Sequence, residues 1–378
     1  MIRPSRIAPL LALLALVSPA SAQEVIESEK TKFKFAPFVD GLNKPYGMVE
    51  LPDGKFLVTE KPGGIRVIEG GKLVAEPIKN VPTVEGGGQG GLFDIQIHPD
   101  YAKNGWIYLA FSEKKGPGKV LTKVVRGKIK NGAWTGQETI FEAPAEQYVG
   151  GGVHYGGRIQ FDGKGYIFFS VGDRGDTTTP ANTAQKLTTV RGKIHRLFDD
   201  GRIPPDNPFV NEPGAMKSIW SWGHRNPQGL HFDDKGNLWE TEHGPRGGDE
   251  MNLIVKGKNY GWPLVTYGIN YSGSPITDKR SAPGFESPRI NWTPSIAASG
   301  LAYYNGDKFP AWKGSLFAGA LGHAKVVRAE VDAQNNVTHE EILLKGKGRV
   351  RSILAAKDGT IYIVYQDDNK IMQLQPAD

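Results

Sequence analysis

One histidine, surrounded by glycines, is the residue of this sequence whose type and setting best suit acid–base chemistry. His154 lies within VGGGVHYGGR, residues 149–158, and the glycines leave its ring open to a ligand. Histidine exchanges a proton near neutral pH and can act as a general base. Asp173 ends the second strand of the hairpin that begins just after His154, so strand pairing can return its carboxylate to the imidazole and orient it. A purely structural histidine is the alternative.

An acidic, glycine-rich segment offers the hard oxygen ligands that calcium prefers. It reads GPRGGDEMN over residues 244–252, and Asn259 and Tyr260 follow it. Calcium binds mixed sets of carboxylate and carbonyl oxygens, and the carbonyls of Gly244 and Pro245 belong to the same segment. The spacing differs from that of an EF-hand, and a solvated acidic turn is the alternative. Zinc is disfavoured because the chain has no cysteine and no paired histidines at ligand spacing.

Two arginines suggest an anion site. Arg349 and Arg351 are two residues apart, so on a strand their side chains would face the same side. Together with Arg225 they would form a cluster suited to carboxylates or phosphates, which guanidinium groups bind through paired hydrogen bonds. An exposed pair on an edge strand is the alternative.

A run of glycines, GGGQGG over residues 86–91, contains the letters of a dinucleotide-binding fingerprint. That fingerprint requires a strand before it and a helix after it, whereas the following LFDIQI is typical of a strand. We therefore interpret the run as a loop whose backbone approaches a ligand closely, with Gln89 as its only amide side chain. A flexible turn is the alternative.

The elements that must position these residues are hairpins repeated along the chain. Pairs of alternating apolar runs joined by turns begin near residues 47, 93, 158, 230, 300 and 352. A hairpin that recurs roughly every 45–70 residues is typical of a β-propeller with about four strands in each blade. We therefore predict an all-β fold, a six-bladed β-propeller with four-stranded antiparallel blades. A pair of β-sandwiches with chance Asp-Gly turns is the alternative. Residues 174–217 and 265–294 interrupt the repeat and are predicted to be long functional loops.

The ends and the composition limit the possible classes of function. Residues 1–22 combine two arginines, a short apolar run and the small-residue triplet Ala20-Ser21-Ala22, which is typical of a signal peptide. We therefore predict a periplasmic or secreted protein, with residues 23–378 forming a single propeller domain. The apolar run is too short for stable membrane insertion. The net charge of +6 is not clustered in a basic run, so no nucleic-acid partner is expected.

Together these motifs resemble the soluble aldose sugar dehydrogenases of the glucose/sorbosone dehydrogenase family, which depend on pyrroloquinoline quinone (PQQ). The specific parts are GGGQGGLFDIQIHPDY, HYGGRIQFDGKGYIFFSVGDRG, SWGHRNPQGL, ETEHGPRGGDEMN, KNYGWP and GRVRSI. The resemblance implies a six-bladed propeller, in agreement with the hairpins. It also implies a periplasmic quinoprotein that oxidises aldose sugars at C1 to lactones by hydride transfer to PQQ. An electron acceptor, a quinone or a cytochrome, would be its partner.

The resemblance also implies a role for each matching residue. His154 would be the general base, Asp173 the acid that supports it and Arg225 a positive donor at the reactive edge of the cofactor. The residues expected to contact PQQ are Gln89, Arg225, Asn226, Arg349 and Arg351. The residues expected to bind calcium are Gly244 and Pro245 at an ion on the cofactor, and Glu250 and Tyr260 at a second, structural ion.

One segment departs from the family pattern, and two other functions stay open. Some members place a lysine on the cofactor after the strand that matches residues 316–321, whereas residues 320–325 read ALGHAK and align no lysine there without a shift. A calcium-dependent propeller lactonase would use the acidic segment without a quinone. A non-catalytic propeller would bind sugars or a protein. The arginines favour the dehydrogenase, because a lactonase does not need them.

Overall fold

Six antiparallel sheets follow one another along the chain. The computed structural model describes residues 23–176, 178 and 181–377, and residues 1–22, with the predicted signal peptide, lie outside this range. The innermost strands of neighbouring sheets contact one another in sequence, and those of the last and first sheets also meet. The sheets therefore close into a ring, and the predicted six-bladed β-propeller is confirmed.

Each blade is one sheet, and its strands run in order from the innermost to the outermost. Blade 6 also includes the first two strands of the chain, β1 (Glu24–Glu27) and β2 (Lys32–Val39). Blade 1 contains β3 (Pro45–Glu50), β4 (Phe56–Glu60), β5 (Gly64–Glu69) and β6 (Lys72–Leu73). Blade 2 contains β7 (Leu92–Ile97), β8 (Ile107–Lys114), β9 (Val120–Lys130) and β10 (Ala133–Phe141). Blade 3 contains β11 (Ile159–Phe161), β12 (Tyr166–Val171), β13 (Lys193–Phe198) and β14 (Ile219–Trp222).

The second half of the ring continues the same pattern. Blade 4 contains β15 (Pro227–Phe232), β16 (Leu238–Glu242), β17 (Asp249–Ile254) and β18 (Ile290–Trp292). Blade 5 contains β19 (Ala298–Tyr304), β20 (Ser315–Ala320), β21 (Lys325–Val331) and β22 (Val337–Leu343). Blade 6 starts with β23 (Val350–Ala355), β24 (Ile361–Tyr365) and β25 (Lys370–Pro376).

Helix is limited to short turns among the described residues. These are α1 (Tyr101–Asn104) and three 3₁₀ turns at Ala145–Gln147, Thr183–Gln185 and Pro310–Trp312. None of the described helices has the length and apolar character needed to cross a membrane.

Aspartates fix the tight turns of the predicted hairpins. In blade 3, Asp162 Oδ1 accepts hydrogen bonds from the backbone N–H groups of Lys164 and Tyr166. In blade 4, Asp233 Oδ1 accepts the equivalent bonds from Lys235 and Asn237. An aspartate that bonds to its own backbone two residues on favours a turn over a continued strand. These turns therefore fix the register of the paired strands. Their aspartates also make the hairpins recognisable in the sequence.

Blade 6 closes the ring with strands from both halves of the sequence. β2 pairs with β25, and Phe33 is opposite Pro376. The sheet has five strands, one more than predicted, because the short, largely exposed strand β1 adds to the outer edge of β2. Phe33 is fully buried, and its ring packs edge-on against that of Trp312, with 5.4 Å between centroids. The closure therefore also joins blade 6 to blade 5.

Removing this buried ring should weaken the whole propeller. We expect Phe33→Ala to lower the free energy of unfolding by ~3–5 kcal/mol, the usual cost of a large cavity in a core. The matched control is Val25→Ala on β1, where the side chain is 57% exposed and the expected change is within ~0.5 kcal/mol. Guanidinium denaturation measures both. Equal losses in the two variants would contradict a role of Phe33 in ring closure.

Candidate active site where the innermost strands begin

The candidate residues gather at one end of the ring. Gln89, His154, Arg225 and Arg349 each precede an innermost strand, and Asp173 follows the second strand of blade 3. Two cavities open there. The first, of about 330 Å³, is lined by residues that include His154, Asp173, Arg225 and Pro245. The second, of about 400 Å³, is lined by residues that include Gln89, Arg349 and Arg351. Both have the size of small-molecule sites.

His154 and Asp173 form a hydrogen-bonded pair, as the hairpin predicted. His154 Nδ1 is 2.6 Å from Asp173 Oδ1. The Asp173 side chain is almost fully buried, and it also accepts hydrogen bonds from Trp262 Nε1 at 2.8 Å and from the Gly175 N–H at 2.8 Å. A carboxylate held in this way fixes the orientation of the imidazole. His154 Nε2 makes no hydrogen bond within the described residues, and the ring lines the first cavity.

The backbone of His154 is held in an uncommon conformation. Its φ of +52° lies in the left-handed region, which residues other than glycine rarely adopt. The His154 N–H donates to Gln89 Oε1 at 2.8 Å, so the glycine-rich loop of blade 2 supports the histidine of blade 3. Observed strain of this kind is characteristic of functional sites. The predicted cofactor ligand Gln89 thus has a direct structural link to the predicted base.

Arg225 lies between the first cavity and the calcium candidates. Its Nη1 donates to the carbonyl of Gly244 at 2.7 Å and to that of His243 at 3.2 Å. Its guanidinium lies over the Trp262 ring, 5.2 Å from the centroid. The Gly244 carbonyl, predicted as a calcium ligand, therefore accepts a hydrogen bond from Arg225 in this structure. Pro245 lines the first cavity beside Arg225.

Asn226 is buried behind the site and lines neither cavity. Its Oδ1 accepts hydrogen bonds from the Gly156 N–H and Gln228 Nε2, both at 3.2 Å. Its Nδ2 is 3.3 Å from His243 Nδ1. The side chain therefore ties the histidine loop of blade 3 to blade 4. Its predicted contact with PQQ stays a prediction.

The second cavity is rich in positive charge. Arg351 Nη1 donates to Gln228 Oε1 at 3.1 Å, and burial lowers the pKa of Arg351. Arg349 forms an ion pair with Asp367 at 2.7 Å. The predicted pair of arginines therefore lies together, but Arg225 lines the neighbouring cavity and does not join them.

The calcium candidates Glu250 and Tyr260 lie together near the first cavity. Glu250 belongs to a strand and not to the predicted loop, because it pairs with Glu242 of β16. Glu242, Glu250 and Tyr260 line a small cavity of about 10 Å³. Burial, followed by the charge of Glu242, raises the pKa of Glu250 well above its usual value. The Tyr260 hydroxyl donates to the Leu253 carbonyl at 2.6 Å, so its own carbonyl is the atom that can bind an ion. The carboxylates of Glu242 and Glu250 and the Tyr260 carbonyl are oxygen ligands of the kind that calcium binds.

Comparison with known proteins identifies the family. A sequence model of the family described as Glucose / Sorbosone dehydrogenase matches residues 42–373. The chain belongs to this family. Aldose sugar dehydrogenase YliI of Escherichia coli (strain K12) is 41% identical over 345 residues, which cover 89% of this chain and 91% of that protein. This member of the family is therefore an oxidoreductase that acts on sugars, and the resemblance seen in the sequence is confirmed.

Solved structures agree with the fold of this dehydrogenase. The crystal structure of the soluble aldose sugar dehydrogenase of Escherichia coli in the apo-form has a TM-score of 0.86 at 40% identity, over 91% of this chain and 100% of that one. The PQQ-bound form of aldose sugar dehydrogenase from Streptomyces coelicolor has a TM-score of 0.74 at 27% identity, over 95% and 99% of the two chains.

Two side chains of the dehydrogenase that the sequence analysis did not select also line the second cavity. Lys61 Nζ donates to the Gly88 carbonyl at 2.7 Å, and burial lowers its pKa, with a further contribution from Arg351. His243 has a buried Nε2 without a hydrogen-bond partner among the described residues. Its pKa is lowered well below the usual value by burial and by the charges of Arg225 and Arg351. Each follows the second strand of its blade directly, as a repeat alignment of blades 1 and 4 would have shown.

The backbone behind His154 leaves no room for a methyl group. A Cβ at Gly172 would lie 2.3 Å from the His154 carbonyl oxygen, and the φ of Gly172 is not positive. We expect Gly172→Ala to displace the histidine, to lower sugar oxidation and to reduce the free energy of unfolding by ~1–3 kcal/mol.

The matched control is Gly86→Ala, where a Cβ would meet nothing within 4 Å and φ is also not positive. Urea denaturation and sugar oxidation measure both variants. If Gly172→Ala behaves like Gly86→Ala in both assays, close packing behind His154 does not position the histidine.

Proposed function

We propose that this dehydrogenase oxidises aldose sugars at C1 to lactones, with PQQ as the acceptor of hydride and His154 as the general base. The observation that carries the proposal is the His154–Asp173 pair at 2.6 Å, with His154 lining a cavity of small-molecule size. The PQQ-bound form of the Streptomyces coelicolor relative supports the choice of cofactor.

The second cavity fits PQQ, which carries three carboxylates. Lys61, Arg349 and Arg351 provide three positive charges around it, and Asp367 is the one carboxylate among the described residues that line it. Guanidinium groups bind carboxylates through paired hydrogen bonds. Gln89, which is exposed at the edge of the cavity, would add an amide. When bound, PQQ supplies the quinone carbonyl that accepts the hydride from C1 of the sugar.

His154 and Asp173 would handle the proton of the sugar. With Nδ1 hydrogen-bonded to Asp173, Nε2 is the nitrogen free to take the proton of the anomeric hydroxyl. The buried carboxylate would then stabilise the positive imidazolium that forms, as in other acid-supported histidine bases. A positioned base of this kind supplies roughly 10²–10⁴-fold of rate. Trp262 and Tyr271 line the same cavity and would exclude water from the bound sugar.

Lys61 would supply a positive charge in place of the family lysine that finds no aligned counterpart in residues 320–325. Its ammonium group forms no ion pair within the described residues, and it donates to the Gly88 carbonyl. Burial and the charge of Arg351 lower the pKa of Lys61, and a carboxylate of the cofactor would oppose both effects. The three cations around this cavity support the dehydrogenase over the lactonase, which does not need them.

Calcium would serve this function at two places. At the cofactor, the carbonyls of Gly244 and Pro245 would hold an ion, which would share the Gly244 carbonyl with Arg225. Arg225 would then provide a positive donor near the reacting groups. At the second place, Glu250 and the Tyr260 carbonyl would hold a structural ion beside the cofactor ligands.

We also propose that the enzyme acts in the periplasm or outside the cell. The signal-like pattern of residues 1–22 supports this, although these residues lie outside the described range. Its electron acceptor would be a quinone or a cytochrome, and the net charge of +6 suits an acidic partner.

Loss of the proposed base should separate binding from turnover. We expect His154→Gln to bind PQQ normally but to lose about 10²–10⁴-fold of turnover, since the proton acceptor is removed while the cations of the second cavity remain. PQQ titration and a dye-linked aldose assay measure the two quantities. The matched control is His339→Gln, at a half-exposed histidine of β22. Near-normal turnover of His154→Gln would show that His154 is not the base.

Loss of a cavity cation should affect binding first. We expect Arg349→Ala to weaken PQQ binding by about 10–100-fold, the value of one charged hydrogen bond. The turnover of the PQQ-saturated variant should change much less. Arg202→Ala, at a well-exposed arginine paired with Asp200, is the control. An unchanged affinity for PQQ would reject the role of Arg349 in holding a carboxylate.

A further inference from the structure

Two arginines lie over the same tyrosine ring where the innermost strands meet. The guanidinium carbon of Arg158 is 4.9 Å from the centroid of the Tyr46 ring, and that of Arg351 is 4.7 Å from it. Tyr46 belongs to β3 of blade 1, Arg158 directly precedes β11 of blade 3 and Arg351 belongs to β23 of blade 6. A guanidinium is attracted to the face of an aromatic ring, so Tyr46 stabilises two like charges at the same place.

Gln228 of blade 4 connects these three residues. Its Oε1 accepts hydrogen bonds from the Tyr46 hydroxyl and from Arg351 Nη1, both at 3.1 Å. Its carbonyl accepts a hydrogen bond from Arg158 Nε at 2.5 Å, and Arg158 Nη2 donates to the Arg351 carbonyl at 2.8 Å. We call Tyr46, Arg158, Gln228 and Arg351 the central layer. Buried polar groups that are hydrogen-bonded to one another make a core rigid.

The two arginines of the central layer differ in how many of their N–H groups are used. Arg158 Nη1 also donates to Ser352 Oγ at 3.1 Å and to Asp94 Oδ1 at 3.5 Å. Arg351 donates from Nε and Nη2 to Gln366 Oε1, at 3.1 and 2.9 Å. Since a guanidinium has five N–H groups, Arg158 uses four of them within the described residues and Arg351 only three. Arg351 therefore keeps two N–H groups for a ligand.

The charge of Arg351 is also left open. Arg158 has a carboxylate partner in Asp94, whereas Arg351 forms no ion pair within the described residues. Burial lowers the pKa of Arg351, and the charge of Arg158 lowers it further, while Tyr46 acts in the opposite direction. A cation removed from water without a partner is costly, and an anion in the second cavity would reduce that cost.

The central layer separates the second cavity from a chamber of about 110 Å³. Tyr46, Gln228 and Arg351 line the second cavity, whereas Arg158 lines the chamber. Among the described residues, none lines both. Arg158 therefore acts on a ligand of the second cavity without touching it.

We propose that Arg158 is a positioning residue for Arg351. It holds the carbonyl of Arg351 and the ring of Tyr46, so that the two remaining N–H groups of Arg351 are ready for a carboxylate in the second cavity. The identity of the ligand rests on the proposed function, in which it is PQQ. A side chain that is held in place before binding loses little conformational freedom when the ligand arrives.

The test measures PQQ affinity and the melting temperature of the full chain. We expect Arg158→Met to weaken PQQ binding at least about tenfold, because Arg351 loses the donor to its carbonyl and is no longer held for a charged hydrogen bond. The turnover of the PQQ-saturated variant should change much less. In a crystal structure of the variant without PQQ, Arg351 should have lost its hydrogen bonds to Gln228 and Gln366.

The matched control is Arg328→Met in blade 5. Arg328 is fully buried, donates to Ser315 Oγ at 3.2 Å and to Glu341 Oε2 at 2.8 Å, and lines neither cavity. Its loss should also lower the Tm but leave PQQ affinity within about twofold, since distant sites act independently. Equal losses of affinity in Arg158→Met and Arg328→Met would overturn the positioning role.

A second pair of variants decides the matter if Arg158→Met does not fold. Tyr46→Phe keeps the ring and should bind PQQ within about threefold of the wild type, whereas Tyr46→Leu removes the ring and should lose at least about tenfold. Equal affinities of these two variants would overturn the proposal.

Failure of the proposed cofactor would be seen separately. If the wild type does not bind PQQ, the choice of PQQ is wrong, and crystal structures of the variants then test the position of Arg351 alone. An Arg351 side chain that keeps its bonds to Gln228 and Gln366 in Arg158→Met and in Tyr46→Leu would overturn the positioning role whatever the ligand is.

Discussion

Buried hydroxyl groups hold neighbouring blades together at the end of the ring that carries the site. Thr59 of blade 1 donates to the Phe93 carbonyl at 2.6 Å, and Thr122 of blade 2 donates to that of Tyr155, also at 2.6 Å. Thr241 of blade 4 repeats the contact with Ser299. Each accepting carbonyl lies at or just before the start of the next innermost strand, so the bonds fix the segments from which the candidate side chains project. Because the three threonines are fully buried, these hydrogen bonds are stronger than they would be in water and stabilise the contacts between blades.

On this frame, opposite charges occupy neighbouring regions. The cations around Arg351 face the second cavity, whereas the carboxylates around Glu242 lie inside blade 4. Arg225 lies next to the carboxylates: its backbone N–H donates to Glu242, and its guanidinium donates to the carbonyl of Gly244. His243, which lies between them, is kept uncharged because burial and the surrounding cations lower its pKa.

The fold was predictable because its turns are encoded locally. Aspartates such as Asp162 terminate strands through bonds to their own backbone, so the hairpins, and from them the number of blades, can be read without any long-range information. The pairing of His154 with Asp173 followed from the same hairpin. The fifth strand of blade 6 could not be foreseen, because β1 is short and largely exposed and forms only on the edge that β2 provides.

Contacts between blades could not be predicted from the sequence, because they join residues that are far apart in it. The positive charge of Lys61 belongs to the second cavity because residues from all six blades line that cavity, and the sequence around Lys61 contains no local motif for an anion site. Likewise, the glycines of the acidic stretch that ends in Glu250 are typical of a loop, whereas pairing with β16 draws its end into a strand. The family resemblance supplied several of the site residues where local patterns could not.

The way the ring is closed also has a consequence for the order in which it can form. Phe33 pairs with Pro376 across nearly the whole length of the chain, so blade 6 cannot be completed until β23 to β25 have been synthesised. Contacts between residues so distant in sequence carry a high loop-closure entropy and slow the folding of β-rich proteins. Until then, β2 exposes an unpaired edge. During this interval that edge can pair with a second chain, and closure of the ring removes the competing reaction.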